Sequence, residues 1–145
     1  MFKIVSSLVA LWLAFGCVAP PGVVERTFAP VGTYGGHWGA DFAMEAGSDV
    51  IVVADGIVSF AGTVAGMNTV TVDHGGGIRT SYSYLSSVDV AVGDEVRRGE
   101  ILGTSGTDHG IPAIHVSARL NGSYVDPSFM FMCNRGTVRL SPIGS

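Results

Sequence analysis

The chain has 145 residues, of which 47% are hydrophobic, 14% are charged and 21 are glycine. This length allows one compact domain, and so little charge beside so much glycine and apolar residue excludes a disordered chain, a coiled coil or a long solvated helix. Eight basic residues against twelve acidic ones, a net charge of −4, leave no electrostatic case for nucleic-acid binding.

Residues 1–19 have the form of an export signal, with Lys3 as the basic start and an apolar stretch from Ile4 to Phe15 broken only by Ser6 and Ser7. That stretch is short for a membrane-spanning helix. Ala14, Gly16 and Ala19 offer small residues for cleavage, and Cys17 after Leu13-Ala14-Phe15-Gly16 forms an imperfect lipoprotein signal. Three outcomes stay open here: simple secretion, a lipid anchor at Cys17, and a helix that is never removed. A Cys17–Cys133 disulfide is open when Cys17 is kept and unacylated. Lys3 is the chain's sole lysine, so a processed chain carries arginine as its only strong base.

Residues 20–32 read as a linker without periodicity, residues 33–132 as a β domain and residues 133–145 as a tail. The runs Asp49 to Ala54 and Ile57 to Ala61 are apolar and flank Asp55-Gly56, which predicts a hairpin. Further strands are expected at Asn68 to Asp73, Ile78 to Tyr84, Val88 to Val92, Glu100 to Gly103 and Ala113 to Leu120. Turns are expected at Gly75-Gly76-Gly77, Gly93-Asp94 and Asn121-Gly122. No stretch carries a helical stripe, so the fold class is all-β, a compact antiparallel sandwich or half-barrel.

Few side chains offer chemistry. His37 and Asp41 stand four apart in a glycine-rich segment too irregular for a helix, a spacing that is weak on its own. In Ala113 to Leu120, period two puts Ala113, His115, Ser117 and Arg119 on one face, and Ile114, Val116, Ala118 and Leu120 on the other, core-facing one. His115 therefore faces a polar concavity or solvent. Two neutral imidazoles and one carboxylate make a His2Asp zinc site with a position left for water. His74, beside three glycines, reads as structural, held by hydrogen bonds to backbone. Trp38, Tyr34 and Tyr124 read as packing residues, with stacking on glycan or peptide as the alternative.

These motifs resemble the lysostaphin-type zinc metallopeptidases over roughly residues 35–127. His37-Trp38-Gly39-Ala40-Asp41 matches the family's H-x-G-x-D, Thr69 to Tyr82 resembles its V-x-V-D-H-G-x-G strand pair, and Val92 to Gly103 resembles its V-G-D-x-V-x-x-G turn. The resemblance implies Zn²⁺ held by His37, Asp41 and His115, and hydrolysis of peptidoglycan peptide cross-links by metal-activated water outside the bacterial cytoplasm. It also marks two departures. The first histidine of the family's H-x-H is Ala113 here, and the histidine of Y-x-H-L is Tyr84. Losing one such group typically costs about 10²–10³ in rate. Tyr84 and His109 are the candidate substitutes. The alternative is an inactive module of the same fold that binds cell wall or regulates another hydrolase. The Val92 to Gly103 turn is also similar to biotinyl and lipoyl carriers, but a processed chain has no lysine to modify.

Overall fold

The computed structural model describes residues 21–131. The expected export signal, the anchor at Cys17, the Cys17–Cys133 pairing and the tail 133–145 lie outside these residues. Thirteen strands follow one another: β1 (Val23–Arg26), β2 (Ala29–Val31), β3 (Gly35–His37), β4 (Ala40–Ala43), β5 (Asp49–Ile51), β6 (Gly56–Val64), β7 (Met67–Gly75), β8 (Ile78–Val88), β9 (Glu95–Val96), β10 (Ile101–Ser105), β11 (Thr107–Asp108), β12 (Ile111–Leu120) and β13 (Ser123–Val125). A 3₁₀ turn over Pro127–Phe131 ends the described chain. Among the described residues there is no α-helix, and none is long and apolar enough to cross a membrane.

The main sheet runs β1-β4-β12-β8-β7-β6-β9, with every pairing antiparallel and no closing pair between its edges. It is therefore an open all-β sheet, extended by β10, which pairs with the C-terminal end of β8, and by β5, which pairs with β10. Tight turns set its register. Ala65-Gly66 and Asn121-Gly122 both take positive φ at each central residue, the hairpin geometry that matches strand twist.

Alternation divides the sheet into two chemically different faces. Val70, Val72, Tyr82, Ile114, Val116 and Phe42 are buried together in the core. The Tyr82 hydroxyl accepts a hydrogen bond from the Val53 N–H at 3.1 Å and lies 3.0 Å from Thr80 Oγ1. Burial pushes its pKa up to about 12. The opposite face of β7, β8 and β12 presents Thr69, Thr71, Ser81, Ser83 and Ser117, all buried by their neighbours. Register sets Thr69 against Ser83, Thr71 against Ser81 and Ser81 against Ser117. Their hydroxyls pair across the strands, at 2.9 Å between Thr69 and Ser83 and 2.7 Å between Thr71 and Ser81. These hydroxyls lie on the floor of a groove whose lining also includes the apolar side chains of Trp38, Phe60, Val64 and Met67.

Three expectations need correction. The Asp55-Gly56 hairpin does not form: β5 pairs with β10, and β6 pairs with β7 and β9. Between β5 and β6, Val52, Val53 and Ala54 run into the core, where the Val52 N–H donates to Glu100 O and the Gly99 N–H to Val52 O. Asp55 instead accepts from the Arg98 N–H at 2.8 Å, so its carboxylate ties down a distant turn. The strand expected at Val88 to Val92 stops at Val88, because Asp89 N–H donates to Leu102 O and Ala91 N–H to the Asp94 carboxylate, closing a turn. Residues 23–31, expected without structure, form β1 and β2. Their side chains are exposed and carry no alternating pattern, and backbone pairing to β4 and β3 makes them strands.

Candidate metal centre

His37 ends β3 and Asp41 is the second residue of β4, with only Trp38, Gly39 and Ala40 between them. The bend at Gly39 turns both side chains to one side. A Cβ on Gly39 would lie 2.5 Å from His115 Nε2 and 2.5 Å from the Val116 carbonyl oxygen. No larger residue fits. β12 pairs with β4 so that His115 stands directly opposite Asp41, and with β8 so that it stands opposite Ser83. Sheet register, rather than sequence proximity, thus closes a separation of 74 residues.

Three donor atoms meet. His37 Nε2 lies 3.1 Å from Asp41 Oδ1 and 3.2 Å from His115 Nδ1, and His115 Nδ1 lies 2.6 Å from Asp41 Oδ1. His37 and Asp41 are buried, and His115 is partly exposed on the groove side. Among the described residues this is the one group of three metal-ligating side chains that close together. His37 Nδ1 lies 2.7 Å from the Thr27 carbonyl, which can only accept, so the ring proton sits on Nδ1. In the neutral ring Nε2 then holds a lone pair aimed at a carboxylate oxygen. Two acceptors at 3.1 Å repel unless a cation lies between them. Two imidazoles and one carboxylate suit the borderline-soft Zn²⁺, whose ligands at about 2.0–2.1 Å lie about 3.3 Å apart in a tetrahedron; the two separations from His37 are close to this, while His115 and Asp41, at 2.6 Å, stand at hydrogen-bond distance and move apart to admit the ion. The donors therefore fit the ion, and a backbone carbonyl orients one of them from outside, as metal-binding histidines commonly require.

The two candidate substitutes lie together but outside this triangle. Tyr84 is the extra residue where β8 slips register between Ser83 and Leu85, at φ 64°, and such a bulge re-aims a side chain. Its ring centroid is 6.3 Å from that of His109, which also has positive φ and whose Nδ1 contacts the Asp108 carboxylate. Burial, followed by the charge of Asp108 and a hydrogen bond to it, raises the Tyr84 pKa, and the more distant Asp41 adds to this. Neither Tyr84 nor His109 hydrogen-bonds to His37, Asp41 or His115. Ala113 is buried against Ala43 and offers only a methyl group.

His74 is structural, as expected: Nδ1 contacts the Asp55 carbonyl at 2.8 Å, Nε2 lies 2.8 Å from Thr80 Oγ1, and burial lowers its pKa. Trp38 packs between Phe28 and Tyr124, with centroids 6.4 and 5.7 Å away, whereas Tyr34 is fully exposed. Sequence reasoning missed Thr27 and Asp108. Thr27 acts through its carbonyl, which every residue possesses, so no residue pattern marks it. Asp108, next to His109, was a visible carboxylate whose neighbour in space was not.

Residues 35–127 match the family described as Peptidase family M23. The chain is 36% identical over 119 residues to the DD-carboxypeptidase/endopeptidase Mpg of Neisseria meningitidis, covering 74% of this chain and 27% of that protein. It is 40% identical over 82 residues to the glycyl-glycine endopeptidase ALE-1 of Staphylococcus capitis, covering 54% and 23%. The chain thus spans about a quarter of the length of these relatives. The crystallised catalytic domain of the antimicrobial peptidase lysostaphin from Staphylococcus simulans superposes with a TM-score of 0.61 at 32% identity, over 75% of this chain and 90% of that one. The sheet and the site define a lysostaphin-type peptidase domain. The chain belongs to peptidase family M23.

Proposed function

We propose that the protein is a zinc-dependent endopeptidase that cleaves peptide cross-links of peptidoglycan outside the cytoplasm. The observation that carries this reading is the meeting of His37 Nε2, Asp41 Oδ1 and His115 Nδ1 within 3.2 Å of one another, beside a groove floored with hydroxyls. Those three residues hold the metal. Zinc in that position supplies a Lewis acid that polarises a peptide carbonyl and activates water for attack. The Thr27 carbonyl keeps the His37 proton on Nδ1, leaving Nε2 available to the metal. Tyr84, with its pKa raised, keeps its phenolic proton at neutral pH, and by exchanging its Asp108 partner it serves as a hydrogen-bond donor to developing negative charge rather than as a base. Asp108 orients the imidazole of His109, the second candidate substitute. Support comes from family membership, from relatives named as endopeptidases, and from the lysostaphin structures.

Residues 1–19 serve in this reading as the leader that delivers the domain to the envelope, with Cys17 as the site of an acyl anchor where the lipoprotein signal is used; the working domain expected at residues 33–132 draws in β1, β2 and Thr27 as well, since they hold β4, β3 and His37. A second reading, an inactive wall-binding module of the same fold, is favoured by Ala113, whose buried methyl leaves no imidazole where the family resemblance places one. Digestion of purified peptidoglycan separates the two. The peptidase reading expects new amino termini that vanish with chelator and with His115→Ala. Their absence from the untreated wild-type digest leaves only the binding module. Metal analysis is expected to give about one zinc per chain in the wild type and a value near zero in His115→Ala.

A further inference from the structure

Arg119 stands four residues beyond His115 on the same face of β12, which at the rise of a strand puts their Cα atoms about 13 Å apart. Both line a groove of about 580 Å³. Arg119 is paired across the sheet with Arg79, and like charges directly opposite one another are unfavourable without an anion nearby. Arg79 has one: its Nη2 lies 3.1 Å from the Asp73 carboxylate. Arg119 forms no ion pair among the described residues. Its guanidinium instead rests 5.2 Å from the centre of the Tyr124 ring, a contact that orients the group without neutralising it. Tyr124 in turn packs on Trp38, the neighbour of His37, so an aromatic wall links the two ends of the groove. In a chain of net charge −4, this cation is a local feature and not part of a basic surface.

A slot with a metal-ligating cluster at one end, hydroxyls along its floor and an uncompensated guanidinium about 13 Å away fits about four residues of extended peptide ending in an anion. We propose that Arg119 is a specificity residue that binds a free carboxylate of the substrate, so that the groove selects acidic peptides whose carboxylate lies about four residues from the bond at the metal centre. The proposal rests on the peptidase reading for the ligand being a peptide. Planar guanidinium is suited to carboxylate, which it grips through two parallel N–H donors.

The test is calorimetric titration of the full-length protein with two blocked peptides, six glycines flanked on both sides by Glu or by Gln. At low salt the Glu peptide is expected to bind about tenfold more tightly, the order of one charge-assisted contact in a partly open groove. Arg119→Gln should bring the ratio to about one, and Arg119→Lys should retain part of the preference. Equal affinities in the wild type, no binding of either peptide at millimolar concentration, or a preference that persists in a folded Arg119→Gln protein overturns the proposal. Release of amino termini from the same peptides reports separately on turnover. Acid preference in a protein that cuts neither peptide nor peptidoglycan keeps the carboxylate subsite and removes the peptidase reading. Cutting with no acid preference does the reverse.

Discussion

Gly39 is the residue on which the metal centre closes most tightly. A Cβ there meets the His115 ring and the Val116 carbonyl at 2.5 Å, and neither is the loose end of a flexible side chain. Gly39→Ala is therefore expected to destabilise the fold by about 1–3 kcal/mol, the usual cost of overpacking, and to displace His115 from Asp41. Denaturant unfolding and zinc content should fall together. A variant that loses neither would show that the ring has room to move. Tyr82 tests a different kind of dependence. Its hydroxyl is the acceptor for the buried Val53 N–H, so Tyr82→Phe leaves that donor without a partner and is expected to cost about 1–3 kcal/mol with little change in ring packing. The ligand pair His37 and Asp41 was visible in the sequence as a spacing, and His115 as a polar residue on an otherwise apolar-backed strand. What fixes the tautomer of His37 was invisible, because a main-chain carbonyl has no letter of its own.

At the scale of the element, strands with one apolar face were readable and strands held by backbone alone were not. β12 alternates from Ala113 to Leu120, and its core and groove faces came out as period two requires; β7 and β8 were read as strands, and their register slips were not. β1 and β2 are short and exposed, so nothing in their side chains announces a sheet. The Asp55-Gly56 signal failed for a related reason: a turn dipeptide reports local backbone preference, while Val52 finds its partners in the β9–β10 connection and Val53 donates to the Tyr82 hydroxyl. The β7–β8 hairpin also carries a titration. His74 is held by the Asp55 carbonyl and by Thr80 Oγ1, and burial lowers its pKa below the ordinary 6.5. The folded state thus takes up its proton at lower pH than the unfolded state does. Stability is whole above about pH 6.5 and declines as pH falls through that value toward the lower folded-state pKa. Thermal melts of the wild type and His74→Gln between about pH 7 and 5 should show a steeper acid loss for the wild type. Parallel curves would mean that the ring titrates as freely folded as unfolded.

For the whole molecule, an open antiparallel sheet supplies Asp41 from β4 and His115 from β12, the separate two-stranded β2-β3 sheet supplies His37, and the other face of the main sheet is left for a buried core. Fold class was legible because glycine-rich turns and alternating strands left no room for helices. Order within the sheet was not, since β12 lies between β4 and β8 and only long-range register places it there. The same register sets the length of the groove, with the histidine and the arginine of β12 at its two stations.

The strand that borders β4 has a practical bearing on how the protein is made. β1 covers the outer edge of β4, and the loop after it presents the Thr27 carbonyl to His37. A recombinant version trimmed to begin at residue 33 would delete both, exposing an unpaired backbone edge next to Asp41 and releasing the imidazole beside it. Failure of such a fragment to retain zinc or to hydrolyse a substrate would then report on where the gene was cut, whereas a version beginning near residue 21 keeps the scaffold whole.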